Sequence, residues 1–138
     1  VRSDVGVIPA RQAVPMTTNP NMPAEPSTNR EPLIGRMLVQ TSAVNAWATS
    51  DDALIDARTT FLARCIQIHA SMRWDLCDLD EHDEEANDHA VISGARVLTA
   101  HLYEEDGVRE PVRIWVLTEA CNGDGFRAST CVLFPEDY

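Results

Sequence analysis

ARVLTAHLYEEDGVREPVRIWVLTEACNGDGFRASTCVLF, residues 95–134, decides how this chain folds. It holds three runs rich in β-branched and aromatic residues: ARVLTAHLY (95–103), PVRIWVLTEA (111–120) and STCVLF (129–134). Such residues suit a pleated, half-buried surface. The intervening EEDGVRE contains Asp-Gly, and CNGDGFRA contains Asn-Gly and Asp-Gly, both turn signals. An antiparallel meander of three strands is predicted. Residues 113–117 are apolar almost throughout, as expected of a strand covered on both faces. Pro111 stands at a strand start, where its missing donor is tolerated.

Upstream, RMLVQT (36–41) reads as a short strand added at an edge of that sheet. A helical turn over 42–48, opened by Thr41 or Ser42, follows. Ser50 then reads as the N-cap of a helix over about 51–70, with Asp51 and Asp52 favourable to its dipole. Leu54, Ala57, Phe61, Cys65 and Ile68 recur at steps of three and four, and Arg58, Leu62, Ile66 and His69 widen the stripe. In DLCDLDEHDEEANDH (75–89), Asp80 is placed to cap a helix from Glu81, and Gly94 to end it. The fold class expected is α+β: a three- or four-stranded antiparallel sheet with two main helices on one face, over residues 33–138. The other face needs a cover, for which the N-terminal arm and a second copy of the chain, making a homodimer, are the two candidates.

That arm, residues 1–32, carries six of the eight prolines. Proline fixes φ and removes a donor, so neither helix nor ladder is expected and the arm reads as extended or disordered. At 138 residues a single domain is the natural reading. The net charge of −11, with 11 arginines and no lysine, argues against phosphate neutralisation on nucleic acid or an anionic membrane. No run reaches the ~20 apolar residues of a membrane span, and the opening VRSDVGVIPARQ lacks a signal peptide's apolar core. The four cysteines, at 65, 77, 121 and 131, form no CxxC pair. They read as reduced thiols of a cytoplasmic protein.

Candidate chemistry is thin. The acidic run places eight carboxylates within 75–89, but from Asp78 the EF-hand positions six and twelve are Asp83 and His89, which breaks that pattern. It reads as a solvated helix face. Cys65 and His69 are four apart on one helix, without an evident oxyanion hole, and read as core groups. His101 reads as a cross-strand partner. Glu119 and Asp124 are paired carboxylates in a loop that does not fix their separation. No GxSxG, HExxH or phosphate-cradling loop occurs.

WVLTEA (115–120), RASTCVLFPEDY (127–138), DEEAN (83–87) and GARVLTAH (94–101) together resemble the motifs of a family of small bacterial proteins of plasmids and integrated elements. These are labelled plasmid-related protein or, misleadingly, type I restriction endonuclease subunit M. Further parallels lie at MLVQTSA (37–43), FLAR (61–64), IH (68–69) and RWD (73–75), so the resemblance covers about 37–138. The matching positions include Asp83, Asn87, Arg96, Thr118, Glu119, Arg127 and Thr130, with Pro135 and Tyr138. This sequence departs at the inserted CNGDGF, at Cys131, at His101 and at Met72–Arg73. The family brings no established activity. The restriction label fails here, because the chain lacks a methyltransferase's cofactor loop and catalytic motif.

What the resemblance implies is a mobile-element accessory protein. The first seven matching residues are its candidate binding positions, and Asp83 and Asn87 are expected to pair with buried donors such as Arg96 or Arg127. The leading expectation is a non-enzymatic interaction protein with an unidentified protein partner and no cofactor. One alternative is a small enzyme or metal-binding protein using Glu119, Arg127 and the acidic helix. Another is an acidic inhibitor that mimics DNA or opposes restriction.

Overall fold

A computed structural model describes the backbone of Val5–Pro9 and residues 31–138. Among these residues four strands make a mixed sheet: β2 (Met37–Thr41), β3 (Val97–Tyr103), β4 (Val112–Thr118) and β5 (Ser129–Leu133). A further edge strand, β1 (Val5–Pro9), extends it to the order β1-β2-β5-β4-β3. The pairs β3–β4 and β4–β5 are antiparallel, whereas β2 lies parallel to β5, with Leu38 opposite Thr130. The expectation of an antiparallel sheet throughout is therefore corrected. Nothing in the β2 sequence carries its direction, because the partner lies some ninety residues away and the chain returns through helices.

A second correction concerns the arm. A ladder does run there, since β1 pairs antiparallel with β2 from Val5–Thr41 to Pro9–Met37. It is compatible with proline because Pro9 closes an edge strand, where no inner ladder loses a donor. The remainder of the arm lies outside the described residues.

Among the described residues three α-helices pack with the sheet: α1 (Ser42–Thr49), α2 (Ile55–Ala70) and α3 (Glu81–Ser93). Thr41 caps α1, its hydroxyl accepting from the Val44 amide at 3.3 Å. Ser50 is not the N-cap of the long helix. It closes α1, donating its hydroxyl to the Trp47 carbonyl, and α2 starts five residues later. Asp80 caps α3 by accepting from the Asp83 amide at 2.8 Å, and Gly94 ends it with φ of 84°, a left-handed geometry that glycine adopts without strain.

The buried face of α2 is Arg58, Leu62, Cys65 and His69, steps of four, three and four. Its centre is thus shifted from the apolar residues of the predicted stripe, and two polar residues stand on the core face. They are tolerated because both are hydrogen-bonded. Arg58 donates to Glu105 at 2.7 Å and to the Trp47 carbonyl at 2.6 Å, and it stacks over the Trp47 ring.

β4 alternates as a doubly covered strand must. Ile114 and Val116 join Val44, Ala48, Leu62 and Cys65 in a core beneath α1 and α2. Leu117 joins Cys131 and Leu133 on the opposite face, flanked by Val39, Leu98 and Trp115. A third cluster, Leu33, Trp74, Ala90 and Val97, ties α3 to the sheet edge. No helix among the described residues is long and apolar enough to cross a membrane.

Candidate functional site

Inward positions of the strands facing α2 are not all apolar. Thr130 on β5, Thr118 on β4 and Thr99 on β3 lie on that face, and each is fully buried. Thr118 stands directly opposite Thr130 in the β4–β5 register. His69, near the C-terminal end of α2, enters between the strands with no solvent exposure. The result is one continuous hydrogen-bonded chain. The Gly35 amide donates to Thr130 Oγ1 at 2.8 Å, and Thr130 meets Thr118 Oγ1 at 2.7 Å. Thr118 meets His69 Nε2 at 2.7 Å, His69 Nδ1 meets Thr99 Oγ1 at 2.8 Å, and Thr99 meets His101 Nε2 at 2.8 Å.

The direction of donation follows from its first member. An amide can only donate, so Thr130 accepts from Gly35. If each hydroxyl then donates onward, His69 accepts at Nε2 and donates from Nδ1, and His101 accepts at Nε2. The reverse order leaves the Thr130 hydroxyl proton without an acceptor among the described residues. A neutral imidazole carries one proton, so His101 holds its own on Nδ1. Burial drives both rings to the neutral form, lowering the pKa of His69 to about 3 and of His101 to about 4, with the neighbouring imidazole a second cause for His69.

His101 is where this chain reaches the surface. It lines a groove of about 300 Å³ between α2 and the end of β3, alongside Phe61, Ile68, Leu76 and Leu102. Arg64, Cys65, Cys77 and Asp78 complete the wall. His101 Nδ1 has no hydrogen-bond partner among the described residues, and it is not a fully enclosed orphan, so it opens to the groove. Both thiols are held protonated, their pKa pushed up to about 12 chiefly by burial. Asp78 is paired with Arg113 at 2.8 Å. Arg64 makes no ion pair among the described residues and is exposed.

The residues singled out from the sequence are distributed otherwise. Thr118 and Thr130 are the middle of the buried chain. Asn87 is buried and donates Nδ2 to the Leu98 carbonyl at 2.9 Å, tying α3 to the open edge of β3. It does not pair with an arginine, and Asp83 is exposed in the first turn of α3. Arg127 donates to three carbonyls, those of Ala95 at 2.7 Å, Glu119 at 3.0 Å and Ala90 at 3.1 Å. It thereby fastens the β4–β5 loop to the end of α3. Arg96 donates to the Tyr138 hydroxyl and lies 3.7 Å from Glu119, a half-exposed pair.

His101 bonds to Thr99 of its own strand and not across strands. Gly35 carried no sequence signal, and Arg64, Cys77 and Thr99 entered only within FLAR, the four cysteines and GARVLTAH. Parity offered one hint, since Thr99, Thr118 and Thr130 all interrupt apolar inward positions. Cys65, Cys77 and Cys121 are free thiols. Among the described residues no three His, Cys, Asp or Glu side chains are placed to hold a metal ion. No family model matches the chain, and neither a curated protein nor a solved structure matches it.

Proposed function

We propose that the chain is a non-enzymatic binding protein, an accessory protein of a bacterial mobile element, and that the groove between α2 and β3 receives a segment of a partner protein. The observation that carries this reading is the groove backed by the buried hydrogen-bond chain, which holds His101 in one orientation and one tautomer. A pre-organised wall lowers the entropy lost on binding. The titratable groups of the groove support recognition over catalysis. A general base works best with a pKa near the operating pH, and a thiol attacks as thiolate. Here the imidazole is a weak base and both thiols stay neutral at pH 7. Mobile-element context rests on the motif resemblance alone.

Native mass spectrometry of the full chain recovered from its host cells tests the reading. Leu76, about half exposed on the groove rim, is the residue to change. A partner bound to the wild type and lost from Leu76→Arg is the expected result. A second copy of the chain as that partner satisfies it equally. Identical spectra for the two proteins would overturn it.

A further inference from the structure

Resting on that reading, we infer that the groove captures the C-terminal residue of the partner protein, an apolar side chain bearing a free α-carboxylate. Its walls divide into two chemistries. Phe61, Ile68, Leu76 and Leu102 supply an apolar surface, in a volume of about 300 Å³ that suits one or two residues and not a folded element. The polar groups facing the same space are donors. His101 presents Nδ1–H, fixed by the bond that Nε2 accepts from Thr99. Arg64 offers a guanidinium without an ion-pair partner among the described residues.

A third donor comes from the strand edge. β3 ends the sheet. Its Leu98 carbonyl accepts from Asn87, and its Ala100 carbonyl accepts from the Asp78 amide at 2.8 Å, so both face away from β4. Backbone groups alternate along an antiparallel strand, which turns the N–H and C=O of Leu102 the same way, into the groove. An extended main chain can pair there, an option a free carboxylic acid lacks.

The acidic character of the chain is reduced in the groove wall. Asp78, the one carboxylate of the wall, is neutralised by Arg113 at 2.8 Å. Cys65 and Cys77 present neutral sulfur, held so by burial. An anion entering the groove meets a cation and two N–H donors, and among the described residues the wall itself holds no unpaired carboxylate, Asp75 and Glu84 acting on Cys77 from outside it. A cationic or neutral-polar terminus would leave Arg64 without a counter-charge and the donors without strong acceptors. Carboxylate capture by convergent donors is a recurring mode of terminus recognition, and charge-assisted bonds of this kind are the stronger ones.

The test is an amide-resolved NMR titration of the full ¹⁵N-labelled chain. The probes are the hexapeptides Gly-Ser-Gly-Ser-Ala-X, with X as Leu, Ile, Val or Phe. Each is used as free acid and as C-terminal amide, beside 4-methylpentanoate. Free-acid peptides are expected to shift Leu102, Ile68 and Arg64, with the amides at least about tenfold weaker, equivalent to about 1.4 kcal/mol. Arg64→Gln, an exposed helix position whose change leaves the core intact, is expected to remove the preference for the acid. Amides binding as tightly as acids would overturn the carboxylate while leaving the partner-protein reading in place. 4-Methylpentanoate binding as tightly as the best peptide would overturn the partner-terminus assignment in favour of a small acid. Absence of groove shifts with every probe would also overturn the inference. The binding reading would then still stand or fall on the Leu76→Arg comparison.

Discussion

Replacing Thr118 with valine removes one oxygen from the middle of the buried chain and almost nothing else, since the two side chains are nearly the same shape. Two groups then lose their partners. The Thr130 hydroxyl has no onward acceptor, and His69 Nε2 has no donor. Both residues are fully enclosed, so water cannot substitute without displacing core atoms. Leaving a buried polar group unsatisfied costs about 1–3 kcal/mol. The expected loss for the two groups is therefore about 2–6 kcal/mol, a large share of the ~5–15 kcal/mol of a typical domain.

Urea unfolding followed by tryptophan fluorescence measures this loss directly, because Trp47, Trp74 and Trp115 report on different clusters. Thr59→Val is the control: its hydroxyl bonds only within the exposed face of α2, and a change within about 0.5 kcal/mol is expected. In a His69→Leu background the cost of Thr118→Val should shrink, because one of the two orphaned groups no longer exists. A Thr118→Val protein within about 0.5 kcal/mol of wild type would refute the claim that the Thr130–Thr118–His69 part of the chain is dry.

Other outcomes follow from the same structure. His69 and His101 have folded pKa values depressed to about 3 and about 4 from an ordinary 6.5, so the unfolded chain takes up their protons first. Their contribution to stability is complete above pH 6.5 and is lost as pH falls toward those values. By pH 5 the loss is about 2 kcal/mol for each ring, and chemical denaturation across pH 5 to 8 should show it as a positive slope of stability with pH. Gly35→Ala should cost about 3 kcal/mol or more, because a Cβ there would lie 2.3 Å from the Ser129 carbonyl carbon, and thermal melting checks it. Arg127→Lys should loosen the β4–β5 loop, since a single ammonium cannot span the carbonyls of Ala90, Ala95 and Glu119, and faster amide exchange over residues 120–127 is the readout.

Much of the fold was legible because it is local. The caps of α3 announce themselves as Asp80 and Gly94, and the turn glycines separate the three C-terminal strands. What escaped is non-local. The parallel pairing of β2 with β5 depends on the route of the chain between them. The Ser50 reading failed because a serine that caps the next helix and one that closes the last look alike when α1 and α2 are only five residues apart. The proline density of the arm concealed β1, since only its last residue is proline.

The candidate site was legible in part. Thr118 and Thr130 stood out through the motif resemblance. Their use became visible only once strand parity and register set them beside each other and beneath His69. Asn87 was read as a partner for buried donors such as Arg96 or Arg127, whereas it is itself a donor, to the Leu98 carbonyl at the β3 edge. The groove could not be read at all, because Arg64, Leu76, Cys77 and His101 come from three elements whose packing no local pattern encodes.

The most direct measurement is the two-bond ¹H–¹⁵N correlation spectrum of the four imidazoles, recorded on the full chain from pH 7.5 to 5. The structure requires two rings in the Nδ1–H form, with Nε2 unprotonated and shifts flat across the range. Assignment by Thr99→Val should perturb both. Either ring in the Nε2–H form, or titrating near 6.5, would contradict the closed network and with it the fixed donor that His101 presents to the groove.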